Sequence, residues 1–449
     1  MRETLSRSLF CASLLLLCAR SIRGQAGPPA AAEIPKLVAQ TSKESQACIA
    51  CHQSGAAPLA VAQWAASRHA QVGIGCYECH QAEKTRPDAF DHFGYSISVM
   101  VTPKSCGTCH SQQAEEFQAS HHAQAGQILG SLDNVLGEDV EGPAAAASGC
   151  AKCHGSVVKV LGKGKLDPAT WPNEGIGRVN PDGSKGSCSV CHSRHTFSLA
   201  IARQPESCGY CHLGPDHPQA EIYDESKHGV TYRTLKAQMH LDAPSWVLGK
   251  DYSVAPTCDT CHMGATSNLS ATHDVGARIS WNLRPEIALK QKDWEKKREA
   301  MKSVCANCHA SDWVNNFYIQ FDGVVDLGNE KFFKPAKEIM GRLQAAGKLS
   351  ATPFDAPIKW TYFELWHHQG RRARMGASMN GPDYVQWHGF YEIAKIFYSE
   401  FLPEAERLLP GVTTAVKESS YNQWLKGLSA EQRQKIREYY QQRYQQPPN

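Results

Sequence analysis

The string Cys-x-x-Cys-His occurs eight times: Cys48-Cys51-His52, Cys76-Cys79-His80, Cys106-Cys109-His110, Cys150-Cys153-His154, Cys188-Cys191-His192, Cys208-Cys211-His212, Cys258-Cys261-His262 and Cys305-Cys308-His309. Two thiols three positions apart can each form a thioether to one haem vinyl group, and the adjacent histidine then meets the iron. Zinc ribbons also pair Cys-x-x-Cys units, and thioredoxin-like redox motifs need only one. Neither requires a histidine directly after the second cysteine in every copy. The motifs use sixteen of the 18 cysteines, and the other two, Cys11 and Cys18, lie at the extreme N-terminus. The expected cofactor is therefore covalent haem c with its iron, eight groups per chain.

Of 20 histidines, twelve lie outside the motifs: His69, His92, His121, His122, His195, His217, His228, His240, His273, His367, His368 and His388. A haem used only for electron transfer takes a second axial ligand, most simply another histidine. Eight such haems need eight of these twelve, so the count does not decide whether any iron is open. The contexts Ser67-Arg68-His69-Ala70, Ser120-His121 and Ser226-Lys227-His228-Gly229 suit a ligand that approaches a haem face closely, and His195 follows a motif histidine by three residues. The distal candidates are His69, His121, His195, His228, His273, His368 and His388. The alternative for each is a surface or propionate-binding histidine.

The elements that must position these groups are modest. Arg2 and Arg7 precede an apolar run from Leu9 to Leu17, which reads as a secretory signal over residues 1–24, too short to span a membrane. Its removal takes away four arginines and one glutamate and leaves a balanced formal charge, which haem propionates make acidic. That composition argues against nucleic acid and for a basic cytochrome or a quinone-linked carrier as redox partner. No later stretch approaches about 18 uninterrupted apolar residues, so no transmembrane span is expected and the location is periplasmic or secreted. Residues 25–310 form an octahaem domain of loops and short helices, with the haems supplying most of its core. Pro285 at a first-turn position, followed by Ile287, Leu289, Trp294 and Met301, predicts a long exposed helix that delivers the eighth motif. Residues 311–449 predict a helical region packed on the haem domain, including a helix that opens at Ser429 with Gln432 three positions on. The fold class is mainly α with extensive loops.

Longer strings carry a resemblance. Gly149 to Gly155 surrounds the fourth motif and Asn180-Pro181-Asp182-Gly183-Ser184 precedes the fifth. Cys208 to Gln219 surrounds the sixth, Glu221-Ile222-Tyr223 runs to Ser226-Lys227-His228-Gly229, and Pro382 to Gly389 lies near the end. Together these resemble the octahaem hydroxylamine oxidoreductase family over nearly the whole mature chain. The resemblance implies a homotrimer in which seven haems are bis-histidine and the fourth, on His154, keeps an open distal face. It places Asp216 and His217 over that pocket, where an N-oxide substrate needs a proton donor or acceptor. It makes Tyr384 the candidate for the tyrosine that, in hydroxylamine-oxidising members, bonds to a neighbouring subunit's catalytic porphyrin, and it lets Tyr318 line the pocket. The implied activity is hydroxylamine oxidation in nitrogen metabolism. The alternatives are reduction of nitrite or hydroxylamine to ammonia at the same site, and a multihaem electron conduit without catalysis.

Overall fold

The computed structural model describes residues 34–128 and 135–445, so the expected leader lies outside the described part. Helices dominate, and among the described residues strands occur only as two-stranded pairs. No helix there is long and apolar enough to cross a membrane. The chain packs as two units: the first runs to Ser207 and includes His240–Trp246, and the second holds Cys208–Met239 and everything from Val247 onwards. Motifs one to five lie in the first unit, and motifs six to eight share the second with the C-terminal helices.

In the first unit the motifs sit on or beside short helical turns. Helix α1 (Lys43–His52) is capped by Ser42, which accepts from the Ser45 amide, and ends on the first motif histidine. Helix α2 (Cys76–His80) holds the second motif. Ser45 ties the two together by donating to Glu78 and accepting from the Tyr77 amide. Strands β1 (Phe90–His92) and β2 (Tyr95–Ile97) form an antiparallel hairpin with His92 opposite Tyr95. Helix α3 (Cys150–His154) is the fourth motif itself. Apolar packing there includes small groups such as Ile49, Val61, Trp64, Ala65 and Ala70.

In the second unit helix α4 (Cys258–His262) carries the seventh motif, capped by Thr257 and Thr260. The helix expected from Pro285 begins only at Trp294. Before it, β3 (Trp281–Asn282) pairs antiparallel with β4 (Leu289–Lys290). Tertiary bonds override the helical pattern here: Arg374 donates to the Pro285 carbonyl, the Asn329 amide bonds both backbone groups of Ala288, and the Gln291 amide donates to Ser280. Helix α5 (Trp294–Cys305) then delivers the eighth motif as anticipated, though it is not exposed throughout, because Arg298 is buried and makes a two-pronged ion pair with Asp322.

Helix α6 (Ser311–Gly328) buries Val314, Tyr318, Phe321 and Val325, a spacing that puts one apolar stripe against Trp281 and Ala288. Helices α7 (Lys334–Ala345), α8 (Pro357–Phe363) and α9 (Arg371–Ser378) follow, with wide π-helical segments at Asn329–Phe333 and Glu364–Gly370. Such π turns re-aim side chains and recur at functional sites. The last helix, α10 (Ala430–Gln445), opens with the expected reciprocal pair: the Gln432 amide donates to Ser429 Oγ and the Ser429 amide to Gln432 Oε1. It buries no residue.

Candidate haem and proton-transfer sites

The sixteen motif thiols are all free of disulfides, as attachment to haem requires. Two imidazoles that ligate one metal ion from opposite sides, each at about 2 Å, hold their ring centres about 6 Å apart. Histidine pairs with this spacing include His69 with His110 at 6.2 Å, His228 with His309 at 6.1 Å, His52 with His92 at 6.2 Å and His212 with His217 at 6.3 Å. His195 lies beside His80. Motif histidines His52 and His80 each donate Nδ1–H to a backbone carbonyl, Ala56 at 2.6 Å and Ser98 at 2.8 Å, which leaves Nε2 for a metal. Burial, then the facing motif imidazole, lowers the pKa of His69 and of His228 and favours the neutral, ligating form. The residues present fit bis-histidine haem c.

Thiols of successive motifs lie next to one another. Cys48 neighbours Cys76, Cys79 neighbours Cys106 and Cys109, and Cys106 neighbours Cys188, which joins motifs one, two, three and five within the first unit. In the second unit Cys208 neighbours Cys258, and Cys261 neighbours Cys305, joining motifs six, seven and eight. Haems held by neighbouring motifs would supply electron transfer between them.

The fourth motif is held by backbone-to-backbone packing that only glycine allows. Gly155 follows His154 with φ +83°, and a Cβ there would stand 2.3 Å from the Arg178 amide nitrogen. A Cβ on Gly175 would stand 2.0 Å from the Gly155 nitrogen. Forced overpacking costs roughly 1–3 kcal/mol, and a side chain at positive φ adds to it. Gly175→Ala is therefore expected to lower the denaturation midpoint of the holoprotein and to displace the fourth haem. An unchanged midpoint with full haem loading would show that this packing is not required.

Asp216 and His217 form a bonded pair within the second unit. Asp216 Oδ1 accepts from His217 Nδ1, and His217 Nε2 faces the Cys211 carbonyl at 2.9 Å. On the other side Arg371 on α9 donates to Asp216 Oδ2 at 2.9 Å, and His367 Nε2 stands 3.9 Å from the same oxygen. Burial favours the neutral acid, but the His217 bond, with the charges of His217, His367 and Arg371, holds the Asp216 carboxyl well below the usual range. Burial likewise opposes charge on His217, yet the Asp216 carboxylate outweighs it and raises the imidazole pKa. His217 stands 6.3 Å from the motif histidine His212, as the facing pairs do, yet both of its nitrogens face protein oxygens, an arrangement that holds a proton. His368 shares the neighbourhood, its pKa lowered to about 4 by burial and then by His367.

Other candidates stand elsewhere. Tyr318 is buried in the α6 core under the Arg298 guanidinium, 4.6 Å from its ring centre, and beside Cys305 and Cys261 of motifs eight and seven. Tyr384 packs against His388 at 5.5 Å, with Glu221 nearby. His388 is exposed and faces two carboxylates, Asp383 at 3.4 Å and Glu392 at 3.3 Å. His121 is exposed after the helix Ser111–Ala119, and His273 is half-buried. His92, Arg371 and His367 were not singled out from sequence. The signal for His92 was the short Phe90-Asp91-His92 stretch before Gly94, a hairpin turn, whereas Arg371 and His367 lie far along the chain from Asp216.

Comparisons with known proteins agree with this assembly. Residues 177–357 match the family model "Seven times multi-haem cytochrome CxxCH", and residues 25–81 and 105–193 match "Cytochrome c554 and c-prime". The chain is 29% identical over 259 residues to the "Probable nitrite reductase-hydroxylamine oxidoreductase fusion protein" of Kuenenia stuttgartiensis, a match covering 49% of this chain and 26% of that protein's length. Among solved structures it is similar to a "Hypothetical multiheme protein" at 25% identity and a TM-score of 0.73, covering 84% of this chain and 97% of that one. The fold is also similar to the "reducing HAO-like protein complex" of Kuenenia stuttgartiensis, at 22% identity and a TM-score of 0.61 over 87% of this chain and 90% of that one. The motifs bind haem c covalently, and the chemistry is haem-based electron transfer or nitrogen redox. The chain is a multihaem cytochrome c, similar to hydroxylamine-oxidoreductase-like proteins.

Proposed function

We propose that this protein is a periplasmic octahaem oxidoreductase of small nitrogen compounds, acting first of all in hydroxylamine oxidation, with an open haem on His154 and seven bis-histidine haems that move electrons. The observation that carries the reading is the Asp216–His217 pair with Arg371 behind it, in the segment where the resemblance to the family is most specific. Haem iron supplies an open coordination position and a path for electrons. Asp216 fixes the ring of His217, and His217 exchanges protons with the nitrogen compound. A partner cytochrome takes the electrons, and the working assembly is a homotrimer. A second reading, reduction of nitrite or hydroxylamine to ammonia, is favoured by the nitrite reductase named in the Kuenenia relative's description.

One preparation of matured protein tests both. Its intact mass is expected to include eight haems, and it should oxidise hydroxylamine with a cytochrome acceptor. Denaturing gels should show haem-linked trimers that survive boiling, and Tyr384→Phe should abolish those bands and the oxidation together. Wild type that runs as monomers and reduces nitrite with an artificial donor selects the reductive reading. An all-low-spin spectrum unmoved by cyanide or nitric oxide removes the enzyme reading altogether.

A further inference from the structure

The second unit gathers more positive charge around Asp216 than its carboxylates balance. Arg371 donates from Nη1 to Asp216 and from Nε to the backbone carbonyl of Arg284 at 2.8 Å, and its charge acts on the Arg284 guanidinium. Arg374 lies one turn further along α9, fully buried, and donates to the carbonyls of Gly370 and Pro285 rather than to any carboxylate. The acidic groups nearby are committed elsewhere: Asp216 to His217 and Arg371, Glu286 to Lys337 at 2.6 Å, and Glu392 to Arg372. Arg284 is half-buried and has one weak side-chain bond, from Nε to Asn282 Oδ1 at 3.5 Å. Its terminal nitrogens make no hydrogen bond or ion pair among the described residues.

We propose that Arg284, with the charge of Arg371 close by, binds a planar anion bearing two oxygens. The Nη1 and Nη2 fork of Arg284 matches the O–X–O geometry of a carboxylate or of nitrite, and the neighbouring positive charge of Arg371 favours a negative group there. The same anion relieves a real cost: burial, then the charge of Arg371, lowers the pKa of Arg284, and the same two causes bring Arg374 down to about 9. Two sources share this chemistry. One is nitrite, the anionic nitrogen species, and that source rests on the proposed function. The other is a haem propionate, which needs only that the motifs be loaded.

The test uses fully haem-loaded Arg284→Met and Arg284→Lys proteins. With sodium nitrite and hydroxylamine as probes, the Met variant is expected to raise KM for nitrite at least about tenfold more than KM for hydroxylamine, since a charge-assisted bond is lost. Lysine should recover part of this, because it keeps the charge but not the fork. That outcome assigns the site to nitrite. A spectroelectrochemical titration reads the other source: if Arg284 pairs a propionate, the Met variant lowers the midpoint potential of one haem, because an unpaired carboxylate stabilises the oxidised form, and nitrite KM stays as in wild type. Absence of both effects in loaded Met protein overturns the proposal. Wild type without any nitrite or hydroxylamine turnover defeats the proposed function instead, and the potential measurement still decides the anion site.

Discussion

His217→Ala is expected to lower turnover of the nitrogen substrate by roughly 100- to 10,000-fold while haem content and the low-spin spectrum stay as in wild type, the range typical of a lost proton-transfer group. The expectation turns on how the ring is held. An axial ligand presents one nitrogen to iron, as the facing pairs His69–His110 and His228–His309 are spaced to do. His217 has that spacing to His212, 6.3 Å, but gives Nδ1 to Asp216 and directs Nε2 at the Cys211 carbonyl. Against burial, the His217 bond and charge, then His367 and Arg371, keep Asp216 ionised, and Arg371 pins its other oxygen, so Asp216 orients and charges His217 and does not itself carry the proton. Asp216→Asn keeps the shape and loses the charge, so it should lower turnover in the same direction. Two assays on each variant separate the roles: substrate turnover, and reduction of the haems by dithionite followed by reoxidation by a cytochrome. If the second falls along with the first, or a low-spin haem signal disappears from His217→Ala, the residue belongs to the electron path and its proton role is lost.

What could be read from the sequence was what is local. Attachment of haem is dictated by five adjacent residues, so the motifs were legible one by one, and the cap at Ser429 needed only the side chain three residues on. The stretch from Pro285 was misread because its apolar spacing suits a helix while its backbone groups are claimed by Arg374 and Asn329, 89 and 41 residues away. The same distance hid half of the proton site: Arg371 is 155 residues from Asp216, and nothing in its own surroundings marks it as a partner. Histidine pairing was open for a different reason. Any of twelve rings satisfies the chemistry of a second axial ligand, and only the folded chain selects which one faces which.

The sharpest test of that selection compares His92 with His388. His92→Ala is expected to convert one low-spin haem, about one in eight, to a high-spin form that binds cyanide, whereas His388→Ala leaves the low-spin spectrum unchanged. His92 ends strand β1, and the hairpin turn at Phe93 and Gly94, both at positive φ, fixes it where its ring centre stands 6.2 Å from that of His52. His52 has already given Nδ1–H to the Ala56 carbonyl, so its remaining nitrogen serves the metal, and His92 is placed to close the opposite side. His388 has the opposite surroundings. Its two nitrogens are engaged by the carboxylates of Asp383 and Glu392, within 3.4 Å, on an exposed helix surface. Magnetic circular dichroism or electron paramagnetic resonance on the two variants reads the difference directly. A low-spin signal lost from His388→Ala, with His92→Ala unaltered, would reverse the assignment and return His388 to the axial set that its sequence context suggested.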